Sequence, residues 1–206
     1  HGIKVVHVVS SVKFALKAQD AGVDAIVAEG FEAGGHNGRD ETTTFCLIPM
    51  VKAAIKIPLI AAGGIGTGRG MLAAMNLGAD AVQVGSRFVT STESSAHENF
   101  KQYILASEEG DTMLTLKELT PVRLLKNEFY TKLQSAYQDG ADKEKLTEIL
   151  GRGRAKKGMF EGDLVEGELE IGQIAGLIEK IMPAGEIVQE MMTEFHQALN
   201  EQKNYL

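Results

Sequence analysis

The sequence predicts an α/β fold: a parallel sheet flanked by helices, followed by a helical region. Four short runs rich in β-branched residues alternate with segments of helical periodicity in the first ninety residues. Near-continuous apolar strands separated by helices are typical of parallel sheets with helices packed outside them. An internal sequence repeat supports repeated βα units, because Ala21-Gly-Val-Asp-Ala-Ile-Val27 is similar to Leu77-Gly-Ala-Asp-Ala-Val-Gln83.

The first predicted strand and helix lie at the start of the chain. Ile3–Val9 is a largely apolar run typical of a buried strand, and Ser10-Ser11 offers an N-cap for the helix that follows. That helix is expected to stop near Gly22, which suits a left-handed position after a helix. Asp24–Ala28 is the second strand, and it leads into a glycine-rich loop over Glu29–Gly38.

Two more βα units are predicted before residue 90. Thr42–Thr44 can cap the next helix, and Pro58 leads the third strand. Gly63-Gly64 then opens a helix, and Asp80–Val84 is the fourth strand. Right-handed crossovers place all the strand-end loops on one face of the sheet, where the active sites of such folds lie.

The pattern changes to helical spacing from about Ser91 onward. Apolar residues recur at intervals of three or four in three groups: Phe100, Tyr103 and Ile104; Leu124, Leu125, Phe129 and Leu133; Leu146, Ile149 and Leu150. Gly151–Gly172 is expected to be a loop with one helical turn, and Ile174–Ile181 and Glu186–Leu199 are expected helices. We therefore expect βα units in residues 1–90 and an all-helical region in residues 91–206, within one structural domain.

The composition excludes several classes of protein. The 206 residues suffice for one sizeable core, and 44% hydrophobic with 24% charged residues is typical of a globular chain. The formal net charge of −7 argues against a nucleic-acid surface and against binding to anionic membranes, and no run of 18 apolar residues exists. A single cysteine, Cys46, excludes an intrachain disulfide and suits a reducing compartment, so a cytoplasmic location is expected.

The first residue also leads to an expectation. His1 stands where an initiator methionine would be, and a strand-like run begins almost at once. We expect the chain to be a piece of a longer protein.

Two successive glycine turns form a candidate phosphate site. Gly63, Gly64 and Gly66 follow the third strand, and Gly85 and Ser86 follow the fourth. Glycine lets backbone N–H groups approach a phosphate closely, and helix N-termini add partial positive charge. The alternative is that these glycines only make tight turns. The pattern does not fit the G-x-G-x-x-G fingerprint of dinucleotide-binding folds.

His36 is the candidate proton-transfer residue. It lies in a loop with glycines on both sides, which does not fill a core, and imidazole exchanges protons near neutral pH. The alternative is a hydrogen bond that orders the loop. Glu29, at the end of the second strand, points into the same mouth and could either contact a cofactor or brace the loop.

Other candidates are weaker. His7 lies inside an apolar strand and is expected to be a core histidine, whereas His97 is expected to cap or order a helix start. His1 and His196 are expected at the surface. Cys46 lacks a pattern that would activate it as a nucleophile, and no spacing of His, Cys, Asp or Glu resembles a metal site.

Four motifs resemble a known family. Ala28-Glu-Gly-Phe-Glu-Ala-Gly-Gly-His-Asn-Gly38, Pro58-Leu-Ile-Ala-Ala-Gly-Gly-Ile65 and Gln83-Val-Gly-Ser-Arg-Phe88 resemble the nitronate monooxygenase (2-nitropropane dioxygenase) family. Gly172-Gln-Ile-Ala-Gly-Leu177 resembles its C-terminal helical motif. The FMN-dependent enoyl-acyl-carrier-protein reductase II belongs to the same superfamily.

The resemblance implies a fold and a set of site residues. The family's fold is an FMN-binding TIM barrel with a helical region, and the four strands here correspond to its strands five to eight, so the chain resembles the C-terminal two-thirds of the family. By this resemblance His36 is the catalytic histidine. The residues implied to bind FMN are Glu29, Gly34, Gly63, Gly64, Gln83, Gly85 and Ser86.

The resemblance also implies function and partners. The leading hypothesis is an oxidoreductase that oxidises alkyl nitronates with oxygen. The alternatives are an enoyl-acyl-carrier-protein reductase, which would use NAD(P)H as reductant on an enoyl thioester, and a catalytically incomplete fragment. Half a barrel exposes two sheet edges and one sheet face. We therefore expect association with the N-terminal half of the barrel, or a homo-oligomer.

Overall fold

The protein contains a parallel sheet in its first half and a small antiparallel sheet further along, in a computed structural model that describes residues 1–203. The strands are β1 (Val6–Val9), β2 (Ala25–Glu29), β3 (Gly35–His36), β4 (Leu59–Ala62), β5 (Ala81–Gln83), β6 (Thr112–Thr115) and β7 (Val122–Leu125). The helices are α1 (Val12–Asp20), α2 (Thr44–Ala54), α3 (Gly68–Asn76), α4 (Ser86–Val89), α5 (Glu98–Leu105), α6 (Glu128–Gln138), α7 (Lys143–Leu150), α8 (Arg154–Met159) and α9 (Ala184–Gln202), with a 3-10 helix at Gln173–Leu177.

The parallel sheet has the order β1-β2-β4-β5, and each helix α1, α2 and α3 connects one pair of neighbours. Val27 in β2 lies opposite Val8 on one side and Ile60 on the other. The predicted parallel α/β arrangement is confirmed. The buried core of this half joins the sheet to the helices, and its fully buried side chains include Ile26, Leu47, Ile48, Val51 and Leu59.

The first strand is shorter and more exposed than the sequence predicts. A buried strand is expected over Ile3–Val9, but β1 begins at Val6, and only Val9 is buried within it. Among the described residues β1 pairs with β2 alone, so one side of the strand has no neighbour. His7 is exposed, and the prediction that it is a core histidine is wrong for the same reason.

Capping interactions set the ends of the first helices. The Ser11 hydroxyl accepts a hydrogen bond from the Phe14 N–H at 3.4 Å, as predicted, and Gly22 after α1 has a positive φ of 87°. Thr43 precedes α2 but makes no side-chain cap. The Glu32 carboxylate, which comes from the loop after β2, accepts the Thr44 N–H instead, at 2.9 Å.

The region after residue 90 is not entirely helical, and that prediction is wrong. β6 and β7 form an antiparallel hairpin, and β3 from the glycine-rich loop pairs with β7. Leu124 and Leu125 lie in β7, whereas Phe129 and Leu133 lie in α6. Every residue of β7 is buried, so its apolar run lacks the alternation of a half-buried strand and matches helical spacing by coincidence.

The C-terminal helix packs against the first half of the chain. α9 contacts α3, and the Glu194 carboxylate of α9 accepts the Gly68 N–H at 2.7 Å. Arg87 in α4 is buried and forms an ion pair with Glu190 of α9 at 2.9 Å. The predicted helix over Ile174–Ile181 is a shorter 3-10 helix. No described helix is both long enough and apolar enough to span a membrane.

Candidate active site

A cleft of about 190 Å³ opens at the carboxyl ends of β2, β4 and β5. Its walls come from the strand ends, from α4, and from the segment around Glu170 that precedes the 3-10 helix. All seven residues that the resemblance assigns to FMN line this cleft: Glu29, Gly34, Gly63, Gly64, Gln83, Gly85 and Ser86. The structure therefore brings together residues that are up to 57 positions apart in sequence (86 − 29).

The two glycine turns present free backbone N–H groups to the cleft. Gly63 and Gly64 have φ values of 90° and 70°, which side chains rarely adopt, and a Cβ on Gly63 would lie 2.8 Å from the Gly30 carbonyl oxygen. Gly85 has no heavy atom within 4 Å of the place of its missing Cβ. Across residues 1–203, the N–H groups of Gly64 and Gly85 donate to no protein acceptor. These turns leave both space and donors for an anionic group.

The N-terminus of α3 is not part of this donor set. The sequence predicts that Gly63-Gly64 opens the helix, but α3 begins at Gly68. Its first N–H groups are already satisfied, since Thr67 accepts from Gly70 and Glu194 accepts from Gly68. An anion in the cleft would therefore meet the glycine turns and the start of the four-residue α4, not the end of α3.

The wall opposite the sheet is held by close backbone contact between two glycines. A Cβ added at Gly34 would lie 2.4 Å from the Gly172 backbone nitrogen. The Gly172 N–H donates to the Ser86 hydroxyl at 2.9 Å, and the Gln173 N–H donates to the Glu32 carbonyl at 2.9 Å. The hydroxyl proton of Ser86 remains available to a ligand because the oxygen is only an acceptor in this bond.

His36 is not one of the described residues that line the cleft, but it directly follows Gly35, which is one of them. It is exposed and is the second residue of β3, where it pairs with Val122 of the hairpin. The Asn37 side-chain amide donates to the carbonyls of Ala33 at 2.9 Å and Gly35 at 3.2 Å, which closes the turn that leads to the histidine. The imidazole is therefore presented by a short ordered strand, and it lies near enough to the lining residue Glu170 to lower the pKa of that carboxyl.

Carboxyl groups dominate the electrostatics of the cleft. Glu29, Glu32 and Glu170 line it, and among the lining residues found within 1–203 there is no lysine, arginine or histidine. Burial raises the pKa of the Glu29 carboxyl. Burial also raises the pKa of Glu170, while the nearby His36 lowers it. Both groups therefore favour the neutral form more than exposed carboxyls do.

Glu168 lies behind Glu170 and is buried, with 8% of its surface exposed. Alternate residues of an extended segment face the same side, so the two carboxyls are neighbours. Burial, together with the charge of Glu170, raises the pKa of Glu168 to about 7, and Arg154 opposes the shift. This carboxyl changes its charge near neutral pH.

The weaker candidates lie away from the cleft. His97 is the N-cap of α5, where its Nδ1 accepts the Asn99 N–H at 3.1 Å, so the capping prediction is confirmed. Cys46 and His196 are exposed. No group of three or more metal-ligating residues occurs in the described part of the chain.

Sequence reasoning missed Glu168, Glu170 and a buried arginine, Arg123. The first two lie in a glycine- and charge-rich stretch that was interpreted as a surface loop. A signal was present, because Glu168-Leu-Glu-Ile171 alternates polar and apolar residues as a strand does, and Glu170 indeed forms a β-bridge with Leu124. No sequence signal marks Arg123 as buried.

Consecutive parallel βα units with a glycine-lined cleft at the carboxyl ends of the strands define the TIM-barrel class of α/β proteins. Within that class, the chain belongs to the nitronate monooxygenase family, whose sequence model matches residues 1–194. It is 34% identical over 209 residues to the "Probable nitronate monooxygenase" of Staphylococcus saprophyticus, a match that covers 96% of this chain and 58% of that protein.

Solved structures agree with this assignment. FabK from Thermotoga maritima is 41% identical and superimposes with a TM-score of 0.93, over 100% of this chain and 65% of that one. Nitroalkane oxidase from Streptomyces ansochromogenes is 30% identical with a TM-score of 0.80, over 98% of this chain and 60% of that one. The chain thus spans about three fifths of the length of the relatives it matches.

Proposed function

We propose that the protein is an FMN-dependent oxidoreductase that oxidises alkyl nitronates with molecular oxygen. The observation that carries the proposal is the convergence of seven motif residues on one cleft, with His36 next in sequence to the lining residue Gly35 and near enough to the lining residue Glu170 to lower the pKa of that carboxyl. Membership of the nitronate monooxygenase family and the similarity to a nitroalkane oxidase support the substrate class. Cys46, exposed and unpaired, supports a cytoplasmic location.

The residues of the cleft fit the phosphate end of FMN. Gly64 and Gly85 have free N–H groups, and the space beside Gly85 is empty. The cleft volume of about 190 Å³ lies below the range of roughly 300–1,000 Å³ that is usual for ligand sites. We infer that the remaining wall of the cofactor site comes from the N-terminal half of the barrel or from a second copy of the chain.

His36 has the position of a general base or an orienting group. Bound FMN would supply the redox chemistry, with electrons passing from the substrate and finally to oxygen. His36 would take the α-proton of a neutral nitroalkane, which forms the nitronate, or would hold an oxygen of a nitronate that arrives already ionised, and the glycine turns would hold the cofactor phosphate.

The second candidate function is reduction of enoyl thioesters with NAD(P)H as reductant. The 41% identity to FabK, an enoyl-acyl-carrier-protein reductase, favours it. Here His36 would orient or protonate the thioester enolate. Steady-state assays of the native full-length protein distinguish between the two functions. Oxygen uptake with a nitronate and without NADH supports the first, whereas NADH consumption with an enoyl thioester and no reaction with nitronates replaces it with the second.

Replacing His36 tests its role directly. H36A is expected to reduce turnover about 100-fold or more, as loss of a general base does, while the visible spectrum of bound FMN stays unchanged. H97A is the matched control, because this histidine uses its imidazole to cap α5 and is not one of the described residues that line the cleft. It should lower thermal stability slightly and leave turnover intact. Full turnover in H36A would show that the histidine only orders its loop.

The exposed strand β1 supports association of the sheet with further strands. Its outer edge has no partner among residues 1–203, and Val6 and Val8 are about half exposed. We propose that this chain, expressed alone, dimerises or requires the N-terminal half. Sedimentation equilibrium and FMN titration test this. A cooperative, colourless monomer that takes up no FMN would instead identify the isolated chain as a catalytically incomplete fragment.

A further inference from the structure

Arg123 is the largest fully buried side chain of the protein, with 1% of its surface exposed. It extends from β7 toward the loop after β2. Its Nη2 and Nε atoms both donate to the Phe31 carbonyl oxygen, at 2.9 and 3.2 Å, and its Nη1 donates to the Thr112 hydroxyl at 3.3 Å. The guanidinium also stacks on the Phe31 ring, 4.4 Å from the ring centroid.

This buried charge has no carboxylate partner. Within residues 1–203 no Asp or Glu oxygen lies within 4.0 Å of the Arg123 guanidinium, whereas the equally buried Arg87 forms an ion pair with Glu190. Burial lowers the pKa of Arg123, and the more distant charges of Glu32 and Glu41 oppose the shift. Without a carboxylate, the hydrogen bonds to the Phe31 carbonyl and the Thr112 hydroxyl must offset the cost of burying the guanidinium, and they tie the loop to β7.

The same residue also contacts the far end of the loop through its backbone. In the pairing of β3 with β7, Arg123 lies opposite Gly35, and Val122 lies opposite His36. The Asn37 N–H extends this pairing by donating to the Pro121 carbonyl at 2.9 Å. Arg123 therefore holds the loop at two points, at Phe31 by its side chain and at Gly35 by its main chain. The length of the turn between the two points is fixed as a result.

We propose that Arg123 is a positioning residue that fixes where the His36 imidazole stands relative to the cleft. The catalytic consequence rests on the role of His36 under the proposed function. The geometric consequence does not depend on that role, because the guanidinium determines the path of the backbone that leads to the histidine. Fixing Phe31 fixes the start of the turn, and a small displacement there moves the ring at its end. Displacement of a reacting group by about 1 Å can reduce the rate about 100-fold.

The chain offers a matched control for this arginine. Arg154 likewise stacks on a phenylalanine ring, Phe129, at 4.4 Å, and its Nε donates to two backbone carbonyls, those of Ile149 at 3.0 Å and Leu150 at 2.7 Å. It ties α8 to the end of α7 and makes no contact with the His36 loop. R154M therefore removes the same kind of interaction at a place where it cannot position the histidine.

The test compares R123M, R123K and R154M in the native full-length protein. R123M is expected to lower kcat about 100-fold with KM nearly unchanged, and R123K, which keeps the charge but loses the fork of donors, about tenfold. The imidazole Cε1–Hε1 NMR signal of His36, assigned by its absence in H36A, should shift or broaden in both variants. R154M should leave the His36 signal at its wild-type position while lowering the melting temperature.

The two readouts separate this proposal from the proposed function. If the wild type neither oxidises nitronates nor reduces enoyl thioesters, the proposed function fails, and the His36 signal alone decides the role of Arg123. If R123M does not fold, R123K decides in the same way. An unchanged His36 signal and unchanged kcat in the folded variants would overturn the proposal. So would an equal change of the His36 signal in R154M.

Discussion

The two regions of the molecule contribute different kinds of atoms to the cleft. Residues 1–90 contribute two glycine turns with free N–H groups, a loop that passes against another glycine, and the carboxyls of Glu29 and Glu32. The region from residue 91 to 203 contributes charged side chains in unusual environments. Glu170 lines the cleft, Glu168 is buried behind it, and Arg123 is buried under the His36 loop.

This difference indicates which region creates the site and which adjusts it. A backbone donor set depends on turn geometry, which the first region specifies by itself through its glycines. A buried charge depends on what packs around it, and here the neighbours come from the other region: Phe31 for Arg123 and His36 for Glu170. The second region therefore adds charged groups whose environments depend on the first region, beside glycine turns that the first region forms by itself.

The largest expected effect is at the contact between the two regions. G34A places a methyl group 2.4 Å from backbone atoms of Ile171 and Gly172, which cannot move as a flexible side chain would. We expect destabilisation by about 3 kcal/mol, or a fall in melting temperature of roughly 10 °C, from overpacking. Differential scanning calorimetry measures it. G185A, with no atom within 4 Å in the first turn of α9, should be neutral or slightly stabilising. Equal stability of the two variants would mean that the regions do not meet at this glycine.

A comparable effect, but one that depends on pH, is expected at Glu168. Its pKa rises from 4.5 to about 7 on folding. The folded state therefore binds more protons between these values, and stability falls as pH rises from about 4.5 to about 7. Above pH 7 the loss of unfolding free energy reaches about 3 kcal/mol. The E168Q substitution replaces this carboxyl with an amide, which does not titrate in this pH range.

The measurement for Glu168 is the difference in unfolding free energy between E168Q and wild type, by urea titration across pH 4.5 to 8. The variant should gain stability relative to wild type as pH rises, by up to about 3 kcal/mol at pH 8. E179Q, which replaces an exposed carboxyl, is the matched control and should change stability by less than about 0.5 kcal/mol. A flat difference for E168Q would show that the packing of the two regions leaves this carboxyl hydrated.

The smallest expected effect lies inside the first region. Thr44 Oγ1 lies 2.9 Å from Glu32 Oε2 and 2.9 Å from the Gly63 carbonyl oxygen, and its one proton can serve only one of these acceptors at a time. The T44V substitution leaves both acceptors without this proton and should lower the free energy of unfolding by about 1–2 kcal/mol. T43A removes a hydroxyl that makes no capping bond and should change stability by less than about 0.5 kcal/mol. Thermal melts compare them; equal losses would exclude a role for the Thr44 hydroxyl in holding the glycine turn.

The sequence predicts the fold of the first region well because its signals are local. The buried strand Ala25–Glu29 ends in a loop that glycine marks, and the helices carry Ser11 or glycine at their ends. β7 could not be recognised in this way. Its residues pack against α6, and its edges pair with β3 and with the Glu170 segment, which are both far away in sequence. Helical spacing from Leu124 to Leu133 therefore conceals a strand followed by a helix.

The site residues differ in the same way: local sequence signals reveal some of them, and only packing reveals the others. Gly63, Gly64 and His36 could be found from sequence because loop glycines and a loop histidine have few other uses. Arg123 could not, since nothing in Pro121–Leu125 indicates that its charge would be buried under Phe31. The raised pKa of Glu168 likewise arises from burial that only the packed structure creates. The functional roles of these residues stay predictions until the variants are measured.

The carboxyl groups of the cleft have a kinetic consequence for any anionic ligand. Three of them line the entrance without a basic side chain among the lining residues of the described chain, and the net charge is −7. A phosphate dianion would be repelled as it approaches, before the glycine N–H groups can bind it. At an ionic strength of 0.1 M, salt screens this repulsion at separations greater than about 10 Å. Cofactor association, followed by flavin fluorescence in a stopped-flow instrument, should therefore become faster as ionic strength rises, the opposite of what a cationic entrance would give.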